Sequence, residues 1–268
     1  MKEEKDVVRL FAEAIESGAS AAMLTVISAQ GSTPREGGAR MIVYPDGAWA
    51  GTVGGGTLES LCMKDALAAL KEGKSRKAVY DLKPEGIGML CMGEVEVYID
   101  VNVCKLRLLI LGAGHVGQKI AEVAAAAGIP CEAADERAEF ASRERFPRAA
   151  RVLVERPDKA VKTLKPDERS YVVIVTRGHE LDQECLAAAL KTQAAYIGMI
   201  GSRSKVPEIF RRLNRQGLHP EKDGRVHSPI GLDLGGKSPG EIAVSVVAQV
   251  LQLRYKRSAR PLRIDSRP

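Results

Sequence analysis

Six clusters in the chain carry residue types that could do chemistry. Gly112-Ala113-Gly114-His115-Val116-Gly117 has the Gly-x-Gly-x-x-Gly spacing of a loop that offers bare main-chain amides to a pyrophosphate. In such a loop Gly112 permits the tight turn and Gly114 lets the backbone approach the ligand. Gly117 lets the following helix pack closely on the preceding strand. Asp135 ends the next apolar run, where an acid would accept hydrogen bonds from a ribose. Gly54-Gly55-Gly56 is a second anion cradle or a plain corner, and Arg35, in the upstream Gly31–Gly38 loop, is a phosphate fork or a surface cation. Cys91 lies in the glycine-flanked run Met89-Leu90-Cys91-Met92-Gly93, where it would serve as sulfur carrier, soft-metal ligand or redox-sensitive thiol. His179 and Asp182, after Thr176-Arg177-Gly178, form an acid–base pair across one helical turn or decorate a loop and a helix start. Ser202 and Arg203 follow Gly201, and Gly235-Gly236-Lys237 falls in a stretch dense in turn formers, read as a structured loop near the site.

These groups need rigid elements to hold them. At 268 residues the chain has room for two ordinary domains, and 45% hydrophobic residues supply their cores. Only 4% are aromatic, which suits helices packed on sheets better than a stacking platform. The five cysteines, Cys62, Cys91, Cys104, Cys131 and Cys185, are odd in number and contain no Cys-x-x-Cys pair. That count argues against a disulfide framework or a zinc knuckle. The net charge of +6 owes much to the tail, where Arg254, Lys256, Arg257, Arg260, Arg263 and Arg267 face the single acid Asp265. These cations are not interleaved with aromatics, so nucleic acid is not an expected partner; a solvated tail or a contact with an acidic partner is. No apolar run approaches the ~20 residues that span a bilayer, and no signal peptide is visible, so a cytoplasmic location is expected.

Two patterns follow one another along the chain. Residues 6–17 read as an amphipathic helix, 21–28 as a buried strand, and Arg40–Tyr44 with Trp49–Val53 as a hairpin turning at Pro45-Asp46-Gly47. A helix from about Thr57, capped by that residue, runs to Lys71, and strands near 77–82 and 94–103 complete a small mixed sheet. From Lys105 the pattern alternates strand and helix: a strand into Gly112, a helix to about Gly128, and strands at 130–134, 151–155, 171–176 and 195–199. Helices are expected from about Leu181 to Thr192 and from Pro239 to Tyr255. The fold class expected is α/β, with residues 1–103 a smaller N-terminal mixed α/β domain. Residues 104–268 then form a Rossmann-type, doubly wound parallel sheet. An exposed final helix would favour a homodimer.

The chain resembles the xanthine dehydrogenase accessory factors of the XdhC/CoxI type. The resemblance rests on Gln30–Arg35, Gly51–Gly56, Gly112–Val116, Gly198–Lys205 and Ser228–Lys237. It implies a maturation factor for molybdenum hydroxylases that binds the molybdenum cofactor, a molybdopterin with or without a nucleotide extension. Such a factor assists sulfuration and passes the cofactor to the apo-enzyme, with a cysteine desulfurase supplying sulfur. Cys91 matches the cysteine of the family's Cys-Gly-Gly pattern, with Met92 in place of the first glycine, and Arg177 stands where the family tends to carry a second histidine. The resemblance thus implies a cofactor-binding chaperone rather than a turnover enzyme. Two other functions stay open on the residues alone: an NAD(P)-dependent oxidoreductase using the Gly112 loop with His179 as acid–base, and a nucleotide-sensing regulatory protein without chemistry.

Overall fold

A computed structural model describes residues 4–82, 93–104 and 106–262. The chain divides into two compact units, Met1–Lys105 and Leu106–Pro268.

The first unit contains α1 (Glu4–Ser17), β1 (Ala21–Gln30), β2 (Arg40–Val43), β3 (Trp49–Gly51), α2 (Gly56–Glu72), β4 (Arg76–Asp81) and β5 (Glu94–Asn102). Its sheet runs β3-β2-β1-β5-β4 and every pairing is antiparallel. The expected mixed sheet is therefore corrected. The β2–β3 hairpin, with Gly47 at φ 83° in its turn, reverses the chain in too few residues for a parallel crossover. Period-two alternation then sorts the side chains. Ala22, Leu24 and Val26 of β1 join Leu58, Cys62, Ala66 and Leu70 of α2 in one core, while Ala21 joins Val7, Phe11 and Ala14 of α1 in another.

The second unit contains β6 (Arg107–Leu111), α3 (His115–Ala126), β7 (Cys131–Asp135), β8 (Arg151–Val154), α4 (Pro157–Leu164) and β9 (Ser170–Ile174). It continues with α5 (His179–Leu190), β10 (Tyr196–Met199), α6 (Val206–Asn214), β11 (Val226–His227) and α7 (Pro239–Tyr255). Six parallel strands run in the order β11-β10-β9-β6-β7-β8. Order reverses between β6 and β9, which makes their C-terminal ends the topological switch point of a Rossmann sheet. The sheet is covered on both faces, which is why β6 reads as an unbroken apolar run. Leu108 and Ile110 pack with α3 and α7, and Leu109 and Leu111 pack among side chains of α4, α5 and α6.

Sequence pattern passed over α4, α6 and β11. Each is short, and α6 shows only Val206, Ile209 and Leu213 as its buried stripe amid charged residues. Helix α7 keeps its expected bounds, but Val246, Val247 and Val250 are buried in the core shared with α3. This face of α7 is thus buried inside the unit.

Candidate functional site

The β6–α3 loop is shaped by two contacts. Gly112 takes φ +110°, and a Cβ there would lie 2.5 Å from the Val175 carbonyl oxygen, so only glycine lets the loop graze the end of β9. A Cβ on Gly117 would fall 2.1 Å from the Gly112 carbonyl oxygen, which is how tightly α3 closes onto the loop. Gly114 differs from both. It is the α3 N-cap at φ −66°, no side chain makes a capping hydrogen bond there, and a Cβ built on it meets nothing within 4 Å. The first turn of α3 holds no acidic residue. Among the described residues this terminus is therefore left without a capping acid of its own helix, and its partial positive charge is not compensated there.

The other helix starts singled out in the sequence are answered by the chain's own carboxylates. At α2 the N-cap is Gly55 rather than Thr57, and its amide donates to Glu59 Oε1 at 3.0 Å. The same oxygen accepts from the Thr52 hydroxyl, whose oxygen in turn accepts from the Gly54 amide at 3.3 Å. A carboxylate thus stands where the triglycine turn was expected to hold phosphate. Arg35 is exposed in the loop beside it, where Pro34 lies so close that a Cβ on Gly54 would be 2.7 Å from its ring. At α7 Glu241 closes a capping box with Ser238 and also takes the Lys237 amide at 3.1 Å. The Ser238 hydroxyl and these amides hold the Glu241 carboxyl below its usual range. Gly235, Gly236 and the Lys237 side chain remain exposed on this loop.

Two further site residues hold structure rather than stand free. Asp182 is 3% exposed, and its Oδ1 accepts from the Thr176 hydroxyl at 2.6 Å and the Thr176 amide at 3.2 Å. It clamps the turn between β9 and α5. His179 is the first residue of α5. Asp135 is 4% exposed and pins the glycine loop by accepting from the Ala113 amide at 2.8 Å. Burial pulls its carboxyl upward, but hydrogen bonds from Arg137 and the two amides outweigh burial and hold it below the usual range. Ser202 bonds Ser204 at 2.9 Å, and Arg203 reaches Asp233 at 3.6 Å with both side chains largely in solvent, a contact worth little. Cys91 lies outside the described residues.

Gly112, Gly114, His115, Gly117, Asp135 and Asp182 gather at the switch-point edge of the second unit. Ser202 and Arg203 follow β10, one strand beyond β9, and Gly235–Lys237 lead into α7. Arg35 and Gly54–Gly56 belong to the first unit. Sequence reasoning missed Arg137 and Phe140, whose guanidinium–ring contact of 3.9 Å borders the same edge, and His115 meets the Phe140 ring edge-on at 6.5 Å. It also passed over Glu241, although Ser238-x-x-Glu241 is a readable capping signature. Among the described residues no three His, Cys, Asp or Glu side chains gather to hold a metal ion.

Known proteins match this architecture. The XdhC Rossmann domain matches residues 108–250 and the XdhC and CoxI family matches residues 14–81. The uncharacterised protein YqeB of Escherichia coli (strain K12) is 35% identical over 87% of this chain and 43% of its own length. A probable xanthine dehydrogenase subunit of Bacillus subtilis (strain 168) is 29% identical over 57% of this chain and 44% of its own. The molybdenum cofactor insertion chaperone PaoD of Escherichia coli (strain K12) is 22% identical over 94% of this chain and 89% of its own. The chain thus spans less than half the length of the first two relatives. With a doubly wound second unit that the XdhC Rossmann domain matches over more than half the chain, this protein belongs to the XdhC and CoxI family.

Proposed function

We propose that the chain is an accessory factor in the maturation of a xanthine dehydrogenase-type molybdenum enzyme. In this reading it receives the molybdenum cofactor, assists its sulfuration and hands it to the apo-enzyme. The names of two relatives, one a component of xanthine dehydrogenase and the other a molybdenum cofactor insertion chaperone, support that role. The observation that carries the cofactor part is the α3 N-terminus. It is uncapped, free of acids in its first turn and open above Gly114, so its residues fit a phosphate. The pterin of the cofactor ends in such a group, with or without a nucleotide. Bound there, the cofactor would supply a molybdenum centre whose terminal oxo ligand is exchanged for sulfido. The Gly114, His115 and Val116 amides would hold the anion, Asp135 would fix the loop through Ala113, and the Cys91 thiolate would take part in sulfur transfer from a cysteine desulfurase.

An NAD(P)-dependent oxidoreductase draws less support, because the Asp135 carboxylate, the expected ribose acceptor, is taken up by Arg137 and the Ala113 amide. The test is co-expression with an apo-molybdenum hydroxylase. Gly114→Val is expected to lose co-purifying pterin and molybdenum. Cys91→Ser is expected to keep them and to leave the client with oxo-molybdenum and no hydroxylase activity. Full client activation by both variants would reject the reading.

A further inference from the structure

The described stretch from 136 to 150, between β7 and β8, holds turns and no helix, where a doubly wound sheet ordinarily places a crossover helix. A cavity of about 210 Å³ lies between this stretch and the C-terminal half of α3, lined by Ala121, Ala125, Cys131 and Phe146 among others. Cys131 begins β7, so the cavity lies toward the end of the strands opposite the glycine loop. Its wall is held in place. The Arg143 guanidinium donates to the Ala149 and Ala150 carbonyls, and the Ala150 amide donates to the Cys131 carbonyl at 2.8 Å. Burial pushes the Cys131 thiol up to about 11, so it stands there as an apolar surface. Arg145 and Arg148 also line the cavity, against one acid, the half-exposed Glu122, which accepts from Lys119 at 2.7 Å.

Arg145 stands apart from the other arginines. Its Nε and Nη2 are sealed from solvent and find no hydrogen-bond partner among the described residues. Arg76 also has buried nitrogens of this kind, but its Nη2 lies 3.4 Å from Glu72. For Arg145 the structure shows the Phe140 ring at 5.0 Å and no acid among the described residues. Elsewhere this same edge of an arginine grips a carboxylate. Nε and Nη2 of Arg137 hold Asp135, those of Arg169 hold Asp167, and those of Arg225 hold Asp223. Two parallel N–H groups match the two oxygens of a carboxylate, and a buried guanidinium without an anion is costly. Arg145 has the edge without the acid.

We propose that this cavity is a binding site for a small organic acid with a compact apolar body. The carboxylate takes the Arg145 fork, and the body fills the space against Ala121, Ala125 and Phe146. The Arg145 guanidinium makes no hydrogen bond to the described residues, so it turns to the ligand at the cost of its Phe140 contact alone. An apolar cavity of about 150 Å³ is enough for benzene, so the space suits one ring with a carboxylate attached. The site is separate from the α3 N-terminus and stands whether or not a cofactor binds there.

Benzoate is the probe, titrated into the full chain with isotope-labelled alanine methyls, and thermal unfolding is the second readout. Saturable shifts are expected at the Ala121, Ala125 and Ala149 methyls. Benzyl alcohol, which keeps the ring and loses the charge, should bind about tenfold or more weakly, the size of a charge-assisted contact. Arg145→Met keeps the stem and should weaken benzoate by a similar factor. Because it removes orphaned donors, it should unfold no earlier than the wild type. Arg145→Lys keeps the charge without the fork and retains part of the affinity. Ala125→Leu fills the space and should abolish binding, whereas Gly114→Val should bind benzoate as the wild type does. The proposal is overturned by the absence of saturable shifts at these methyls, by equal binding of the two probes, or by benzoate binding unchanged in Arg145→Met or Ala125→Leu. Early unfolding of Arg145→Met would make that residue structural and overturn it too. So would loss of benzoate binding in Gly114→Val, which would put the anion at the α3 N-terminus.

Discussion

Three glycines sit within six residues of one another in the β6–α3 loop, yet substituting them should have unlike consequences. Gly117→Ala places a methyl 2.1 Å from the Gly112 carbonyl oxygen, a backbone atom that cannot rotate away. Restoring ordinary contact requires α3 to retreat from β6 by about 1 Å, against a core packed to crystal-like density. Overpacking of this kind costs about 1–3 kcal/mol or more. Alanine's helix preference over glycine returns about 1 kcal/mol, and because the clash is with a backbone atom the cost lies at the upper end of that range, so a net loss of about 2 kcal/mol is expected. For a unit of this size that lowers the Tm by roughly 4–8 °C. Gly114→Val enters open space at φ −66°, which valine adopts freely. Its expected cost is at most about 1 kcal/mol, for a branched residue at an N-cap. Its isopropyl group nevertheless stands over the amides proposed to hold phosphate. Thermal unfolding followed by circular dichroism, paired with the assay for co-purifying pterin, separates the two. Gly117→Ala should melt early, and Gly114→Val should melt near wild type but retain no pterin. A Gly117→Ala protein as stable as wild type would refute the close-approach reasoning. So would a Gly114→Val protein that melts as early as Gly117→Ala.

Two other outcomes follow from the same structure. Burial pushes the thiols of Cys62 and Cys131 up to about 11 and that of Cys185 higher still, so none of the three is a nucleophile near neutral pH. Alkylation of the native protein at pH 8 followed by peptide mapping should leave all three unlabelled, and rapid labelling of any of them would contradict this packing. Asp135, Asp167 and Asp223 are held below the usual carboxylate range, the first two against burial and the last chiefly by its bond from Arg225. A folded-state value below the unfolded one gives stability that is complete above the unfolded value and lost as pH falls through the folded one. The urea midpoint should therefore drop as pH is lowered below about 4–5, and less so in Arg137→Ala. A midpoint that does not move with acidification would count against these pairs.

The second unit was legible because its signals are local. An apolar run buried on both faces, a Gly-x-Gly-x-x-Gly turn and an Ala-rich helix each depend on neighbours in sequence, and together they specify a strand, a loop and a helix of the Rossmann type. The hairpin around Gly47 was legible for the same reason. Strand pairing was not: which of β1 to β5 lie together, and that all run antiparallel, is decided by contacts between residues far apart in the chain. The short, charged α4 and α6 carry too narrow an apolar stripe to announce themselves and form because the sheet supplies the surface they cover.

The candidate site divides along the same line. Residue types and spacing named Gly112, Gly114, Gly117 and Asp135 as one cluster and Asp182 with His179 as another, and the parallel sheet gathers the glycines and both aspartates at one edge. Their division of labour came only from tertiary structure, because a hydrogen bond depends on distance and not on composition. Glu59 and Glu241 cap α2 and α7, Asp182 binds Thr176, and Arg137 fills Asp135. A sequence states which groups could bind an anion. The folded chain decides which of them have already bound one of its own, and among the described residues α3 is the helix start of the three glycine-rich loops left without an internal carboxylate capping its amides.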